Sequence, residues 1–380
     1  MAAKRKTKTA RPSLPRGTKP PRTVTRDLYL VWRSPRLGQG NPHRFPSPVW
    51  SWLASKPELS AYQANAYFQG PSSLAVGPAW CNMRFGQTRT ELAGGRVVRI
   101  AGEHEDYYDP DFFIYNDVLV EDPSGEITIY GYPQDVFPPT DNHSATLAGD
   151  DVFVIGNLGY IHRRRPAVTP VVRLDTKTFA MHPVATQGSP PGWICHHTAT
   201  LSKDGGAIVV TGGQRTVVTA DRFNLIQSPD DWLLDLQTLA WKRLTDRRWE
   251  QWELRRTDGK GNELWKRDMA YRYGSEDKPI DKWTFEGLGD PATVWANRGL
   301  HEKRYCPPLA HEVLPEQDGV PLVLRRVVEG VVVRYVEDAY AVEVIVEGVL
   351  PAAVVEAILD DACQKLGKLE GVGYAKSRVA

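Results

Sequence analysis

The sequence predicts a mainly β fold, a β-propeller or partial propeller, followed by a small C-terminal β-β-β-α unit. Three observations predict it. Three short apolar strands each stop at a glycine: Arg99-Ile100-Ala101-Gly102, Val154-Ile155-Gly156-Asn157 and Val209-Val210-Thr211-Gly212-Gly213. Aligned on Gly102, Gly156 and Gly212, they recur at steps of 54 and 56 residues, and a period near 50 residues with several strands per unit marks an array of propeller blades. The composition agrees, because 32 Gly and 29 Pro suit a chain of many turns. Near residue 320 the pattern changes to apolar strands followed by helical spacing.

The elements follow in chain order. Residues 1–26 hold nine Lys or Arg, no acid and almost no large apolar side chain, so a disordered basic tail is expected. Residues 27–83 read as a segment that packs on the repeats. Leu28–Trp32 reads as a strand, and Pro48–Leu53 as a short helix with Ser47 as its cap. The repeats run over 84–245. Each unit opens with a strand (Gln87–Leu92, His143–Leu147, His197–Leu201), turns at Gly or Asp, and enters the Gly-ended strand. An irregular loop leads to a third strand (Asp117–Val120, Val171–Leu174, Trp232–Leu236). A turn at Asp122, Asp175 or Asp235 leads to the fourth (Ile127–Tyr130, Phe179–His182, Leu239–Arg243). Four strands joined by tight turns make one blade.

Three blades do not close a ring, so flanking strands at Leu28–Trp32 and Ser73–Arg84, or at Val320–Val346, are candidates to extend the array. Residues 246–316, with Trp249, Trp252, Trp265, Trp283 and Trp295 among many charges, read as an insertion packed on the repeats. In 317–380, Leu322–Val328, Val331–Val336 and Tyr340–Val346 read as strands, with Glu329-Gly330 as a hairpin turn. A helix then starts at Pro351, its apolar face formed by Val354, Val355, Ile358, Leu359, Ala362 and Leu366.

The repeats resemble the kelch family. The resemblance lies in His-Ser-Ala-Thr-Leu (143–147) and His-Thr-Ala-Thr-Leu (197–201) before a Gly-ended strand, in the pair Gly212-Gly213, and in Trp241 six residues after Asp235. The first and second units depart from it, with Gly102-Glu103 and Gly156-Asn157 in place of the double glycine and no late tryptophan. The segment Gly131–Asp141 is similar to one in bacterial kelch-like proteins, and that similarity implies no activity. The resemblance implies a propeller scaffold.

Charge and cysteine usage narrow the classes. Beyond the tail the chain carries 38 basic and 46 acidic residues, so the folded body offers no general footprint for nucleic acid. The tail leaves nucleic acid as a possible partner for residues 1–26 alone. Cys81, Cys195, Cys306 and Cys363 stand more than 50 residues apart, which suits free thiols in a reducing compartment and a cytoplasmic location. No apolar run reaches ~18 residues, so no membrane partner is expected.

Three groups of residues are candidates for chemistry. Glu103-His104-Glu105-Asp106 with Tyr107, Asp109 and Asp111 follows the first Gly-ended strand, where His104, Asp109 and Asp111 form a candidate metal set. His143 and His197 share one repeat position, with His196 beside the second. They either bond a neighbouring blade or, with His104 and Glu105, supply a catalytic cluster at a channel mouth. His162 with Arg163, Arg164 and Arg165 lies in the long loop of the second unit and suits an anionic or acidic contact. GxSxG, P-loop and GxGxxG motifs are absent, and no cofactor is expected. The sequence therefore favours a scaffold that binds a protein or other macromolecule through rim loops such as Arg163–Arg165. A metal-dependent lyase or hydrolase is the alternative.

Overall fold

The computed structural model describes residues 14–106, 109–219, 222–228, 230–245, 248–274, 287–317 and 323–379. The chain is mainly β and divides into two compact units, 1–245 and 246–380. No helix among the described residues is long and apolar enough to cross a membrane.

The first unit opens with helix α1 (Arg26–Trp32), where the sequence suggested a strand. Thr25 decides the outcome: its hydroxyl accepts from Leu28 N, and Asp27 lies in the positive first turn. Order begins before residue 26. Thr18 and Val24 are buried, and the Thr18 carbonyl accepts from Trp52 Nε1 at 3.1 Å. The two-residue strand β1 (His43–Arg44) precedes helix α2 (Pro48–Ala54), which starts as expected with Pro48 behind the Ser47 cap. Helices α3 (Ala61–Tyr67) and α4 (Ser73–Val76) follow, so 73–84 supplies no strand to the array.

The three repeats are three four-stranded antiparallel meanders. The first runs β2 (Thr88–Glu91), β3 (Val97–Ile100), a hairpin of β4 (Glu103–Asp106) and β5 (Asp109–Ile114), then β6 (Asp117–Glu121) and β7 (Ile127–Gly131). The second is β8 (Ser144–Ala148), β9 (Asp151–Ile155), β10 (Val171–Asp175) and β11 (Met181–Pro183). Next come the short β12 (Gln187–Gly188) and β13 (Ile194–Cys195). The third meander is β14 (Thr198–Leu201), β15 (Ala207–Thr211), the hairpin β16 (Gln214–Thr219) and β17 (Arg222–Gln227), β18 (Trp232–Asp235) and β19 (Ala240–Arg243). Strand β1 pairs with β7, and β12 pairs parallel with β19, so the first and third sheets each gain a fifth strand.

Side-chain alternation stacks these sheets. Val152 and Val154 of β9 face Val98, Ile100, Val118 and Val120 of the first sheet. The intervening Phe153 and Ile155 face Ile208, Val210, Leu234 and Trp241 of the third. On its other side the first sheet packs Leu119, Ile127 and Ile129 against Trp50, Leu53 and Trp80 of the N-terminal segment. Turn chemistry repeats as the sequence predicts. Asp122, Asp175 and Asp235 each accept backbone N–H bonds from the residues two to four ahead, at 2.7–3.1 Å.

The strand register corrects the glycine alignment. Thr88 pairs with Ile100, Ser144 with Ile155 and Thr198 with Thr211. The equivalent next residues are therefore Ala101, Gly156 and Gly212, all at positive φ (52°, 77° and 65°). Ala101 holds this left-handed conformation because its peptide groups are pinned. Its N–H donates to Asp117 O at 2.9 Å, and its carbonyl accepts from Arg84 and Gln87 side chains at 3.0 and 3.1 Å. Arg84 in turn is buried, ion-paired with Asp117 and stacked over Tyr115 at 3.4 Å.

The second unit is one six-stranded sheet with helices. Residues 246–316 fall within this unit. Strand β20 (Glu250–Arg256) is followed by helices α5 (Leu264–Tyr273), α6 (Pro291–Ala296) and α7 (Arg298–Glu302). Then come β21 (Glu312–Gln317), β22 (Val323–Val328), β23 (Val331–Glu337), β24 (Val342–Glu347), helix α8 (Ala352–Glu370) and β25 (Tyr374–Arg378). The order is β21-β22-β23-β24-β20-β25. The expected three strands and helix are present, enlarged by β20, β21 and β25. Val355, Ile358, Leu359, Ala362 and Leu366 of α8 pack on Leu254, Val333, Val342 and Val344.

At Gly156 an added Cβ would lie 2.5 Å from both His197 Cε1 and Ile194 O. Gly156→Ala is therefore expected to cost about 3 kcal/mol, from left-handed strain plus overpacking. Ala101→Gly, at the equivalent position, is expected to change stability by less than about 1 kcal/mol, since relieved strain offsets added chain entropy. Urea unfolding of both variants checks this, and equal losses would contradict the equivalence.

Candidate functional site

The repeated histidines join neighbouring sheets. His143 Nε2 lies 2.9 Å from Thr88 Oγ1, and His197 Nε2 lies 2.9 Å from Ser144 Oγ. Thr88 and Ser144 occupy one position in successive inner strands, so the second junction copies the first. Beside each side-chain bond runs a backbone bond, from Asn142 N to Gly86 O at 3.0 Å and from His196 N to Asn142 O at 2.9 Å. Gly86, Asn142 and His196 all sit at positive φ, which turns these groups toward the neighbouring unit. Burial pushes His143 down to about 3, with nearby His197 adding to it, and pushes His197 down to about 4. Both rings are neutral at pH 7.

The first candidate group falls on the β4–β5 hairpin. His104 is buried, with Nδ1 3.0 Å from Met83 O. Glu105 is exposed. Burial, with Asp141 and Glu105 nearby, raises Glu103. Tyr107 lies outside the described residues, as do the side chains of Asp109 and Asp111. Among the described residues no three His, Cys, Asp or Glu side chains are grouped to hold a metal ion.

The arginine loop borders a cavity. His162, Arg163, Arg164 and Arg165 line a cavity of about 560 Å³ with Gln134, Asn157, Tyr160 and Trp193. Each wall has an identifiable support. Asp141, buried at the end of the 131–141 segment, accepts from Gly159 N at 2.7 Å. Its own N–H donates to Asn157 Oδ1 at 3.0 Å, and its carbonyl accepts from Leu158 N at 3.0 Å. Burial raises this carboxyl against those bonds. The opposite wall is fixed by Asn116, whose Nδ2 donates to Tyr132 O and Phe137 O at 2.9 and 2.8 Å. Tyr160 accepts from Ile114 N at 3.0 Å and stacks on His162 at 5.8 Å. Trp193 Nε1 donates to Leu158 O at 3.3 Å.

The three guanidinium groups have different tasks. Arg164 is half-buried and donates to Leu158 O at 2.9 Å and Gly159 O at 3.3 Å, so it holds the loop, and burial lowers its pKa. Arg163 is exposed and donates to Gln134 Oε1. Arg165 is exposed. Two exposed cations beside two aromatic rings suit an anionic group attached to an apolar one. The arginines were legible from sequence. Tyr160, Trp193, Asn157 and Asp141 were not, because their role rests on contacts between separate loops.

No protein-family profile and no curated protein matches this chain. Among solved structures, one of a mannose phosphorylase from Leishmania mexicana in complex with phosphate ion is similar at a TM-score of 0.27 and 10% identity. The match covers 70% of this chain and 67% of that one, and a likeness of that size carries no argument.

The junction histidines make a pH prediction. Their folded pKa values lie below the ordinary 6.5, so the unfolded chain binds protons there that the folded protein refuses. Their contribution is complete above about pH 6.5 and is lost as pH falls toward 4 and 3, by about 1.4 kcal/mol per unit for each ring. The stability advantage of wild type over H143Q/H197Q is expected to shrink steadily between pH 6.5 and 5 in urea titrations. An advantage independent of pH would contradict it.

Proposed function

We propose that the first unit is a kelch-like propeller or partial propeller that binds an acidic segment of a protein partner in the groove around Arg163 and Arg165. The observation that carries this reading is the gathering of His162 and three arginines with Tyr160 and Trp193 around one cavity. The repeat of stacked meanders supports the scaffold reading, since loops on a rigid frame commonly carry binding. The hydrogen bonds of His143 and His197 to neighbouring hydroxyls favour a structural use of those rings over an acid–base one. An extended peptide with carboxylates spaced along it would reach Arg163 and Arg165 while an apolar residue lies between Tyr160 and Trp193.

The test uses a fluorescent acidic peptide with one central aromatic residue, measured by anisotropy. Wild type is expected to bind more weakly as salt rises, and R163S/R165S to lose at least tenfold in affinity. R164S is expected to lose binding together with thermal stability, since that side chain ties down the loop. Unchanged affinity in R163S/R165S would overturn the proposal.

A further inference from the structure

A second polar cavity lies wholly within the second unit and is lined by a different set of residues. It has a volume of about 400 Å³, within the range of small-molecule sites. Helix α5 supplies Asp268, Tyr271 and Arg272, helix α7 supplies Arg298, His301 and Glu302, and the chain after α7 supplies Arg304. Strand β22 supplies Arg326.

The charges on this cavity do not cancel. Arg272 pairs with Asp268 at 2.9 Å, and Arg298 with Glu302 at 2.9 Å. Arg304, buried, pairs with Glu337 at 2.7 Å and donates to His301 O at 2.8 Å. Arg326 is left over. It is only 6% exposed, yet no described carboxylate lies within ion-pair distance of it. Its Nη1 donates to the Arg325 carbonyl at 2.8 Å, its Nη2 is 4.0 Å from Cys306 Sγ, and its Nε has no hydrogen-bond partner among the described residues. A guanidinium held out of water without a counter-charge is costly, and the cost falls when an anion reaches it.

His301 points to the same kind of ligand. It is 2% exposed, and Nδ1 has no hydrogen-bond partner among the described residues. Its Nε2 is 3.6 Å from Asp268 Oδ1, beyond hydrogen-bond length. Burial holds the ring neutral at pH 7, so one nitrogen carries a proton to donate and the other accepts. The cavity thus combines a buried guanidinium that has no described carboxylate within ion-pair distance with an imidazole whose Nδ1 has no described hydrogen-bond partner, and the half-exposed Arg272 and Arg298 share its lining.

We infer that this cavity is a binding site for a small oxyanion, a phosphate or carboxylate group borne by a small molecule, with Arg326 and His301 as its deepest contacts. A planar guanidinium presents paired N–H groups matched to either oxyanion. The site is separate from the groove of the first unit, so it stands or falls independently of the function proposed above.

The test is a calorimetric titration of the full-length protein with inorganic phosphate, with succinate as a carboxylate arm and sodium chloride at matched ionic strength as the control. Wild type is expected to bind phosphate or succinate saturably, and the arm that binds identifies the oxyanion. R326M is expected to keep its fold and to lose at least tenfold in affinity. H301Q is expected to lose several-fold, and it decides the matter if R326M does not fold. R163S/R165S is expected to bind as wild type does. Absence of saturable binding to either anion, or wild-type affinity in a folded R326M or H301Q, would overturn the inference.

Discussion

The first unit depends on one repeated junction. At each boundary between neighbouring meanders, an imidazole meets a hydroxyl, and the backbone N–H one residue before the imidazole meets the carbonyl two residues before the hydroxyl. The sheets also share a hydrophobic core, but apolar contact is tolerant of sliding, whereas the paired hydrogen bonds fix one register. Both junctions bury the imidazole, so a ring left unpaired would cost roughly 1–3 kcal/mol. That cost keeps the geometry the same at both boundaries despite the different side chains around them.

From this frame the groove follows. Fixing the second meander against the first brings the 131–141 segment beside the loop that begins at Asn157. Asp141 then bonds across the gap to Gly159, Leu158 and Asn157. The loop is thereby held at its base, while Arg163 and Arg165 remain at the surface. The aromatic side chains of the proposed groove are thus placed before any partner arrives, which would limit the entropy lost on binding.

Much of this was legible in the sequence because turn and strand signals are local. Asp122, Asp175 and Asp235 mark turns through their own side-chain bonds, and the apolar runs between them alternate with the sheet. What was hidden depends mostly on distant partners, the Thr25 cap being a local exception. Ala101 takes a place that glycine fills in the other repeats, since Arg84, Gln87 and Asp117 pin it. Leu28–Trp32 looks like a strand, yet the Thr25 cap makes it a helix. Strands β20 and β25 are rich in charge, and their pairing joins residues more than a hundred positions apart. The arginine triplet could be read, but its aromatic neighbours could not. Arg326 and His301 carry no local pattern at all, since what sets them apart is Nε of one and Nδ1 of the other, buried with no hydrogen-bond partner among the described residues.

The central claim is that identical imidazole–hydroxyl bonds lock the repeats together. A double-mutant cycle on His197 and Ser144 tests it most directly, using H197Q, S144A and the double variant in urea unfolding. A favourable coupling energy of about 1 kcal/mol, matched by the same cycle on His143 and Thr88, is the result this account predicts. Additive losses at both junctions would contradict it.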